Sequence, residues 1–285
     1  MNLARGAHKT VTTINGRRVP RSKARISVFD NSLLYAEGLF ETLLAVDDRV
    51  LFVDEHLNRL YRGARVIGLT VPVDRPTLVR WMHATAGAHP ARIKMLRLTI
   101  TSGESARYLG VAGKPQVILS AAPYRIPEKP FRLLVADWRV DQDSVFRQIK
   151  TISYAINAAA LRRAKQRGYD DALLLNERDQ VAEVSSANIF WVKRGLVYTP
   201  PLTAGCLEGT TRKTVLRVAR KLGIRNVERT EHIDAMLQAD EVFITSSLKL
   251  VVAVSTVRYR NRSYRWRTGD LTRRCSAELQ RIAGV

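Results

Sequence analysis

A lysine amine and a downstream carboxylate are the two groups in this sequence with the clearest chemistry. Lys150 lies in Ile149-Lys150-Thr151, just before an Ala-rich stretch, and Glu183 follows Val181-Ala182. A lysine amine can form a Schiff base with an aldehyde, and a carboxylate can keep a pyridine nitrogen protonated. A pyridoxal phosphate enzyme needs both groups from its protein. Because lysine and glutamate are common, the pair indicates such an enzyme only if the chain also supplies a phosphate site.

Three further segments offer groups that bind phosphate. Gly209-Thr210-Thr211 begins a predicted helix, where free N–H groups and the helix dipole favour an anion. Ser246-Ser247 ends a predicted strand, and Arg59 lies off the apolar stripe of a predicted helix, where its guanidinium could bind phosphate bidentately. Each segment also has a purely structural interpretation: a threonine helix cap, ordinary turn chemistry or a solvated helix face, respectively.

The elements that position these residues alternate between hairpins and helices. Asn15-Gly16 between Val11–Ile14 and Arg17–Val19 predicts a hairpin, and Asp54 is the predicted N-cap of the helix that carries Arg59. The Pro-bearing stretch 123–131 is the predicted linker between a small N-terminal domain, 1–122, and a large C-terminal domain, 132–285. Hairpins with separate helices favour an α+β fold over a doubly wound sheet.

Composition sets the broad class of the protein. A chain of 285 residues can bury a large core, and no apolar run approaches the ~18 residues of a membrane span. The start, Met1 to Gly6, lacks the apolar segment of a secretory signal. Cys206 and Cys275 form neither a metal-binding spacing nor a disulfide framework, so we expect no metal and a reducing cytoplasm.

A net charge of +21 raises the hypothesis of nucleic-acid binding. Most basic residues are spread along the chain, but the stretch from Arg258 to Arg274 interleaves arginines with Tyr259, Tyr264 and Trp266. Such a stretch could bind a nucleic-acid strand. We favour the alternative, an amphipathic hairpin with its arginines in solvent and a turn at Asn261-Arg262-Ser263, because no standard nucleic-acid motif is present.

Seven collinear segments together resemble the class IV aminotransferases of PLP fold type IV, which include branched-chain and D-amino acid aminotransferases and aminodeoxychorismate lyases. The resemblance extends from about Arg18 to Val257. The matching segments are Tyr35–Thr42, Glu55–Leu60, Ile149–Thr151, Val181-Ala182-Glu183 through Asn188-Ile189-Phe190, Thr199-Pro200-Pro201, Leu207–Arg212 and Ala239–Phe243.

The resemblance implies the cofactor pyridoxal 5'-phosphate and a role for each matching residue. Lys150 would form the Schiff base and shuttle the proton, and Glu183 would contact the ring nitrogen. Leu207 would pack under the ring, and Tyr154 would reach its phenolic oxygen. The phosphate would be held by Arg59, Gly209, Thr210, Thr211, Ser246 and Ser247. The resemblance also implies a homodimer of two-domain subunits with the active site between the domains.

The substrate residues depart from each known subtype. Tyr35 and Phe40 match the apolar pocket of the branched-chain type, and Arg97 and Arg107 are further candidates for substrate binding. A D-amino acid aminotransferase would carry a Tyr, an Arg and a His where this chain has Phe40, Arg107 and Leu109, so two of the three are lost. We therefore expect a transaminase that moves an amino group to a 2-oxo acid such as 2-oxoglutarate. An aminodeoxychorismate lyase is the alternative, and a nucleic-acid-binding protein a remote one.

Overall fold

The computed structural model describes residues 10–105 and 113–285. These residues form two compact units. The first contains the described residues up to Arg125 together with Ile149–Ser153, and the second contains Ile126–Gln148 and Tyr154–Val285. Lys150 therefore belongs to the first unit, although it follows the first strand of the second.

The first unit is a six-stranded sheet covered by helices. Its strand order is β2-β1-β6-β5-β3-β4, and every neighbouring pair is antiparallel. The elements are β1 (Val11–Ile14), β2 (Arg17–Val19), α1 (Asn31–Leu34), β3 (Gly38–Val46), β4 (Arg49–Val50), α2 (Val53–Val66), α3 (Arg75–Gly87), β5 (Ile93–Thr101) and β6 (Val117–Pro123). The core lies between the sheet and the apolar faces of α2 and α3.

Local sequence signals were right for the first hairpin and wrong for the start of α2. Asn15 and Gly16 take φ values of 49° and 76°, which a two-residue turn between β1 and β2 requires. The predicted cap at Asp54 is wrong, because Phe52 precedes the helix in a left-handed conformation with φ 54° and Asp54 lies inside the first turn. Asp54 instead pairs with Arg75, at 2.7 Å.

The second unit is built on a nine-stranded mixed sheet. Its order is β12-β11-β10-β13-β14-β7-β8-β9, with β15 paired to β14. The elements are β7 (Phe131–Val140), α4 (Ala155–Gln166), β8 (Asp171–Asn176), β9 (Val181–Val184), β10 (Asn188–Lys193), β11 (Leu196–Thr199), α5 (Thr210–Lys221), β12 (Asn226–Glu228), α6 (Ile233–Leu237), β13 (Glu241–Ser246), β14 (Leu250–Tyr259), β15 (Arg262–Arg265) and α7 (Asp270–Ala283). Apolar side chains cover both faces of the central strands, so the sheet is the core of this unit.

The basic stretch forms an amphipathic hairpin. Strands β14 and β15 pair from Thr256–Arg265 to Tyr259–Arg262, so the turn is Arg260-Asn261, one residue earlier than expected. Tyr264 and Trp266 pack against the core, and the Trp266 indole donates to the Ala239 carbonyl at 2.8 Å. These contacts turn the two rings away from solvent, which favours the hairpin interpretation over a stacking platform for nucleic-acid bases.

Candidate active site

Lys150 lies against the edge of the first unit's sheet. Its carbonyl accepts from the Phe40 N–H at 2.9 Å, and the Ile152 N–H donates to the Gly38 carbonyl at 3.0 Å, so this short segment pairs with the start of β3. The pairing fixes the backbone on both sides of Lys150.

The Phe40 ring contacts two cationic side chains. Lys150 Nζ lies 4.3 Å from the ring centroid and the Arg97 guanidinium carbon lies 4.0 Å from it. Phe40 itself is only 5 % exposed. Attraction of cations to an aromatic face holds both side chains near the ring. The structure thus brings Lys150 together with Phe40 and Arg97, two of the residues that the sequence offered as candidates for substrate binding.

Arg59 on α2 is held by a carboxylate that sequence reasoning did not single out. Its Nε donates to Glu41 Oε1 at 2.8 Å and its Nη2 to Glu41 Oε2 at 2.6 Å. His56 Nδ1 lies 2.6 Å from Glu41 Oε2. His56 and Arg59 are three residues apart on one helix face, which was the available signal. Glu41 gave none, because the direction of its side chain from β3 is visible only in the fold.

Burial and charge pairing have opposite effects on the pKa values of Glu41 and His56, which cluster with Arg59. Burial alone would raise the pKa of Glu41, but the adjacent Arg59 and His56 outweigh it and lower that pKa to about 2. Burial lowers the pKa of His56, and the attraction of Glu41 only partly offsets it. Glu41 is therefore an anion at neutral pH, and it fixes the orientation of the Arg59 guanidinium.

Of the two remaining substrate candidates, the structure describes Tyr35 but not Arg107. Tyr35 ends α1 and is partly exposed, and it is followed by Ala36 with a φ of 57°. Glu37 accepts a hydrogen bond from the Ser102 hydroxyl at 3.1 Å. Arg107 lies outside the described residues, as does Leu109.

Glu183 in the second unit has both carboxylate oxygens engaged. Arg147 Nη2 donates to Oε1 at 2.7 Å and the Leu207 N–H donates to Oε2 at 2.9 Å. Arg147 also binds the Gly205 carbonyl at 2.9 Å and Asn157 at 3.2 Å. Sequence reasoning missed Arg147 and Asn157, although Arg147 is only three residues before Lys150. The carboxylate plane of Glu183 is thereby fixed from two sides.

The start of α5 has the features of an anion site. Gly209 is the N-cap, so no side chain caps the first turn. A Cβ at Gly209 would lie 1.9 Å from Asn188 Oδ1, which explains why glycine stands there. Thr210 Oγ1 and Ser247 Oγ are 3.2 Å apart. Thr211 Oγ1 is buried and has no hydrogen-bond partner among the described residues. An unmatched buried hydroxyl at a helix N-terminus fits a phosphate group.

Tyr154 and Ser246 bind backbone groups in this structure. The Tyr154 hydroxyl donates to the Ser185 carbonyl at 2.7 Å, and burial raises the pKa of that phenol. The Ser246 hydroxyl accepts from the Lys249 N–H at 3.2 Å. Both residues therefore shape the loops around the predicted cofactor groups, whatever contacts they make with a ligand.

Comparison with known proteins identifies the family. The sequence pattern of the family described as amino-transferase class IV matches residues 38–257. The chain belongs to the class IV aminotransferases. This class IV aminotransferase is 30 % identical over 274 residues to a putative branched-chain-amino-acid aminotransferase of Methanocaldococcus jannaschii, covering 94 % of this chain and 95 % of the relative. It is 28 % identical over 246 residues to a D-alanine aminotransferase of Bacillus licheniformis, covering 85 % and 87 %.

Solved structures show the same fold. A branched-chain aminotransferase from Thermoproteus uzoniensis with norvaline is 29 % identical, with a TM-score of 0.89 over 96 % of this chain and 94 % of that one. A putative 4-amino-4-deoxychorismate lyase from Legionella pneumophila is 24 % identical, with a TM-score of 0.85 over 92 % and 97 %, and shows the shared fold alone. The predicted α+β fold of PLP fold type IV is confirmed.

The family and the named relatives together establish the reaction and the cofactor. This class IV aminotransferase is a transaminase that depends on pyridoxal 5'-phosphate and moves an amino group from an amino acid to a 2-oxo acid, as the sequence predicted. The comparisons do not favour the lyase alternative. No described helix is long and apolar enough to cross a membrane. Within residues 10–105 and 113–285, no group of three His, Cys, Asp or Glu side chains is arranged to hold a metal ion.

Proposed function

We propose that the residues singled out above divide the binding of pyridoxal phosphate between them. Lys150 would bind the cofactor aldehyde covalently, Glu183 would accept a hydrogen bond from the protonated ring nitrogen, and Leu207 would pack under the ring. Tyr154 contacts the phenolic oxygen. The phosphate is held by Arg59, Gly209, Thr210, Thr211, Ser246 and Ser247. The observation that best supports the phosphate site is the buried Thr211 hydroxyl without a partner at the start of α5.

The bound cofactor supplies an electron sink for the substrate Cα, and the protein supplies orientation and proton transfer. Arg147 and the Leu207 N–H hold the Glu183 carboxylate in one plane, so that it can accept a hydrogen bond in a fixed direction. The Lys150 amine would move the proton between the substrate Cα and the cofactor carbon to which the amino group is attached. Its fixed backbone next to β3 keeps the amine within reach.

For the substrate we propose an aliphatic amino acid of the branched-chain type, with 2-oxoglutarate as acceptor. The single observation that supports this is the buried Phe40 ring 4.3 Å from the Lys150 amine, since an apolar face beside the reacting nitrogen favours an apolar side chain. The Arg97 guanidinium on the same ring offers a cation for a substrate carboxylate. The relative from Methanocaldococcus jannaschii carries a branched-chain name.

Borohydride reduction tests the covalent assignment. Reduction of the wild-type holoenzyme should fix the cofactor on the peptide that contains Lys150, identified by mass spectrometry. Lys150→Ala should bind the cofactor reversibly and lose turnover by several orders of magnitude, whereas the exposed control Lys221→Ala should behave as wild type. A cofactor fixed on another lysine would contradict the assignment.

A panel of L- and D-amino acids tests the substrate class. Each is mixed with the holoenzyme, and the loss of the yellow cofactor colour is followed. We expect L-leucine, L-isoleucine and L-valine to react, and Phe40→Ala to raise KM for them by at least about tenfold, because an apolar contact is lost. Reaction with D-amino acids alone would refute the branched-chain proposal. Release of pyruvate from aminodeoxychorismate, with no response to any amino acid, would favour the lyase.

We propose that the active protein is a homodimer. The segment before β3 exposes a run of large apolar side chains: Ile26, Val28, Phe29, Leu33 and Leu34 are between 42 % and 63 % exposed. A contiguous apolar patch of this kind usually marks an interface. Phe29→Ser combined with Leu33→Ser should give a monomer in sedimentation velocity, while the isolated exposed Val66→Ser should leave a dimer. A monomeric wild-type protein would contradict the proposal.

We also propose a cellular compartment and a division of the chain into domains. Cys206 and Cys275 are both free and buried, which supports a reducing compartment such as the cytoplasm. We further propose that the chain divides into domains 1–122 and 132–285, joined by a linker at 123–131. Limited proteolysis tests it: the first cleavage should fall within 123–131, and a first cleavage elsewhere would contradict it.

A further inference from the structure

Lys249 is a buried lysine outside the set of residues assigned above. It ends the turn between β13 and β14, and its side chain is 14 % exposed. Its Nζ donates to the Ser186 hydroxyl at 2.8 Å and to the Ser186 carbonyl at 3.4 Å, and it lies 3.9 Å from Asp171 Oδ2. Burial lowers the pKa of this amine, and the Asp171 carboxylate counters that shift. A lysine is rarely buried unless its amine is paired with another polar or charged group.

Asp171 is the centre of these contacts. It is almost fully buried at the start of β8, and it accepts hydrogen bonds from both the Ser185 and Ser186 hydroxyls. The Tyr154 hydroxyl and the Asn157 amide both donate to the Ser185 carbonyl, at 2.7 and 2.9 Å. The turn that follows Glu183, residues 184–187, is therefore anchored by several groups besides Lys249.

The turn that carries Lys249, residues 246–249, holds two serine hydroxyls. We name it the hydroxyl turn. The Ser246 hydroxyl accepts from the Lys249 N–H at 3.2 Å, and Ser247 Oγ lies 3.2 Å from Thr210 Oγ1. Leu250, the next residue, has a φ of 54°, an unfavourable value for leucine. The Lys249 side chain supplies a charged link from the hydroxyl turn to the well-anchored 184–187 turn.

We propose that Lys249 is a positioning residue that fixes the hydroxyl turn so that Ser246 and Ser247 are preorganised for the cofactor phosphate. The proposal rests on the phosphate assignment of the proposed function. Loss of the Lys249 link removes the charged contact that joins the hydroxyl turn to the 184–187 turn, while the contacts of Asp171 and Tyr154 still hold the 184–187 turn, with Glu183 just before it, in place. The effect is therefore confined to the phosphate end of the cofactor.

Binding of ligands with and without a phosphate group tests whether the effect of Lys249 is limited to the phosphate end of the cofactor. Apoenzyme of wild type, Lys249→Met and the exposed control Lys221→Met is titrated with pyridoxal phosphate, with pyridoxal and with inorganic phosphate. Lys249→Met keeps the length of the side chain and removes its charge. We expect about a tenfold or greater rise in Kd for pyridoxal phosphate and for inorganic phosphate, and unchanged binding of pyridoxal. Lys221→Met should match wild type for all three.

Ser186→Ala removes the hydroxyl acceptor, the shorter contact of the same link, with a smaller change in volume. It should reproduce the selective loss, and the double variant with Lys249→Met should lose no more than either single variant. Ser186→Ala also tests the proposal if the Lys249→Met variant does not fold.

Three outcomes would overturn the proposal. The first is equal weakening of pyridoxal and pyridoxal phosphate, since general loosening of the fold does not discriminate between them. The second is wild-type affinity in both Lys249→Met and Ser186→Ala, with borohydride still fixing the cofactor on Lys150; this outcome leaves the proposed function standing. The third is failure of Ser247→Ala to weaken phosphate binding, which refutes the phosphate assignment itself.

Discussion

At the scale of single residues, the Glu41 carboxylate joins β3 to α2 through Arg59 and His56. It is fully buried between Arg59 and His56. Glu41→Gln leaves the Arg59 cation buried without its counter-ion, which should lower the free energy of unfolding by about 3–5 kcal/mol. Urea unfolding of the apoenzyme measures this. The surface pair Asp54–Arg75 provides the control, since Asp54→Asn should cost less than about 1 kcal/mol. Equal costs for both variants would contradict the buried-pair interpretation.

The same carboxylate predicts a pH dependence. Its pKa is about 2 in the folded protein against an ordinary value of 4.5, so the unfolded chain binds the proton more tightly. The stabilisation is therefore fully present above pH 4.5 and is lost as the pH falls from 4.5 towards 2. The difference in unfolding free energy between wild type and Glu41→Gln should shrink over that window. A difference that stays constant down to pH 3 would refute the assignment.

Residue type, together with the resemblance to the class IV aminotransferases, selected the candidate groups with chemistry but not the side chains that hold them. Lys150, Glu183 and Arg59 were selected because an amine, a carboxylate and a guanidinium have definite roles with an aldehyde, a ring nitrogen and a phosphate. Glu41, Arg147 and Lys249 were missed. Their roles come from contacts with Arg59, Glu183 and Ser186, over sequence separations that no local pattern encodes.

At the scale of elements, the last helix is capped by a strand residue. Glu241, at the start of β13, accepts from the Leu271 N–H at 3.2 Å, the Thr272 N–H at 2.8 Å and the Thr272 hydroxyl at 2.6 Å. A carboxylate at a helix N-terminus matches the free N–H groups and the dipole. Glu241→Gln should therefore lower the free energy of unfolding by about 1–2 kcal/mol in urea unfolding.

Gly269 makes this cap possible. A Cβ at Gly269 would lie 1.9 Å from the Glu241 carboxyl carbon, so Gly269→Ala should displace the carboxylate from α7. Because both changes remove the same interaction, the double variant should cost less than the sum of the two single variants. Gly87→Ala is the control: Gly87 ends α3 without a positive φ, and a Cβ there would meet only Asp48 Oδ1, at 3.7 Å. Additive costs of Gly269→Ala and Glu241→Gln would contradict the capping role.

Elements were predictable where a local rule decides them. Asn-Gly fixed the first hairpin because both residues tolerate positive φ. The start of α2 was mispredicted because Phe52 takes a left-handed φ that its residue type disfavours, and tertiary contacts override that preference. The pairing of residues 149–153 with β3 was also invisible in the sequence, since it joins segments more than 100 residues apart.

At the scale of the whole molecule, the charge of +21 has a consequence for substrate encounter. The stretch from Val242 to Gly269 contains no acidic residue and six basic ones. In the hairpin part of this stretch, Arg260, Arg262, Arg265 and Arg267 are exposed. A positive surface field attracts anions and has little effect on molecules without net charge. At about 0.1–0.15 M ionic strength, salt screens this field over a Debye length of about 8–10 Å.

The two substrates of one transaminase provide an internal control for this field. At neutral pH 2-oxoglutarate carries two negative charges, whereas leucine is a zwitterion with none in net. The kcat/KM for 2-oxoglutarate should fall several-fold when ionic strength rises from about 0.01 to 0.15 M, while the half-reaction with leucine changes little. Single-turnover rates of each half-reaction measure the two separately. An equal response of both substrates would mean that the charge acts on the stability or assembly of the protein and not on encounter. A decline confined to the dianion would make the basic surface part of how the enzyme collects its acceptor.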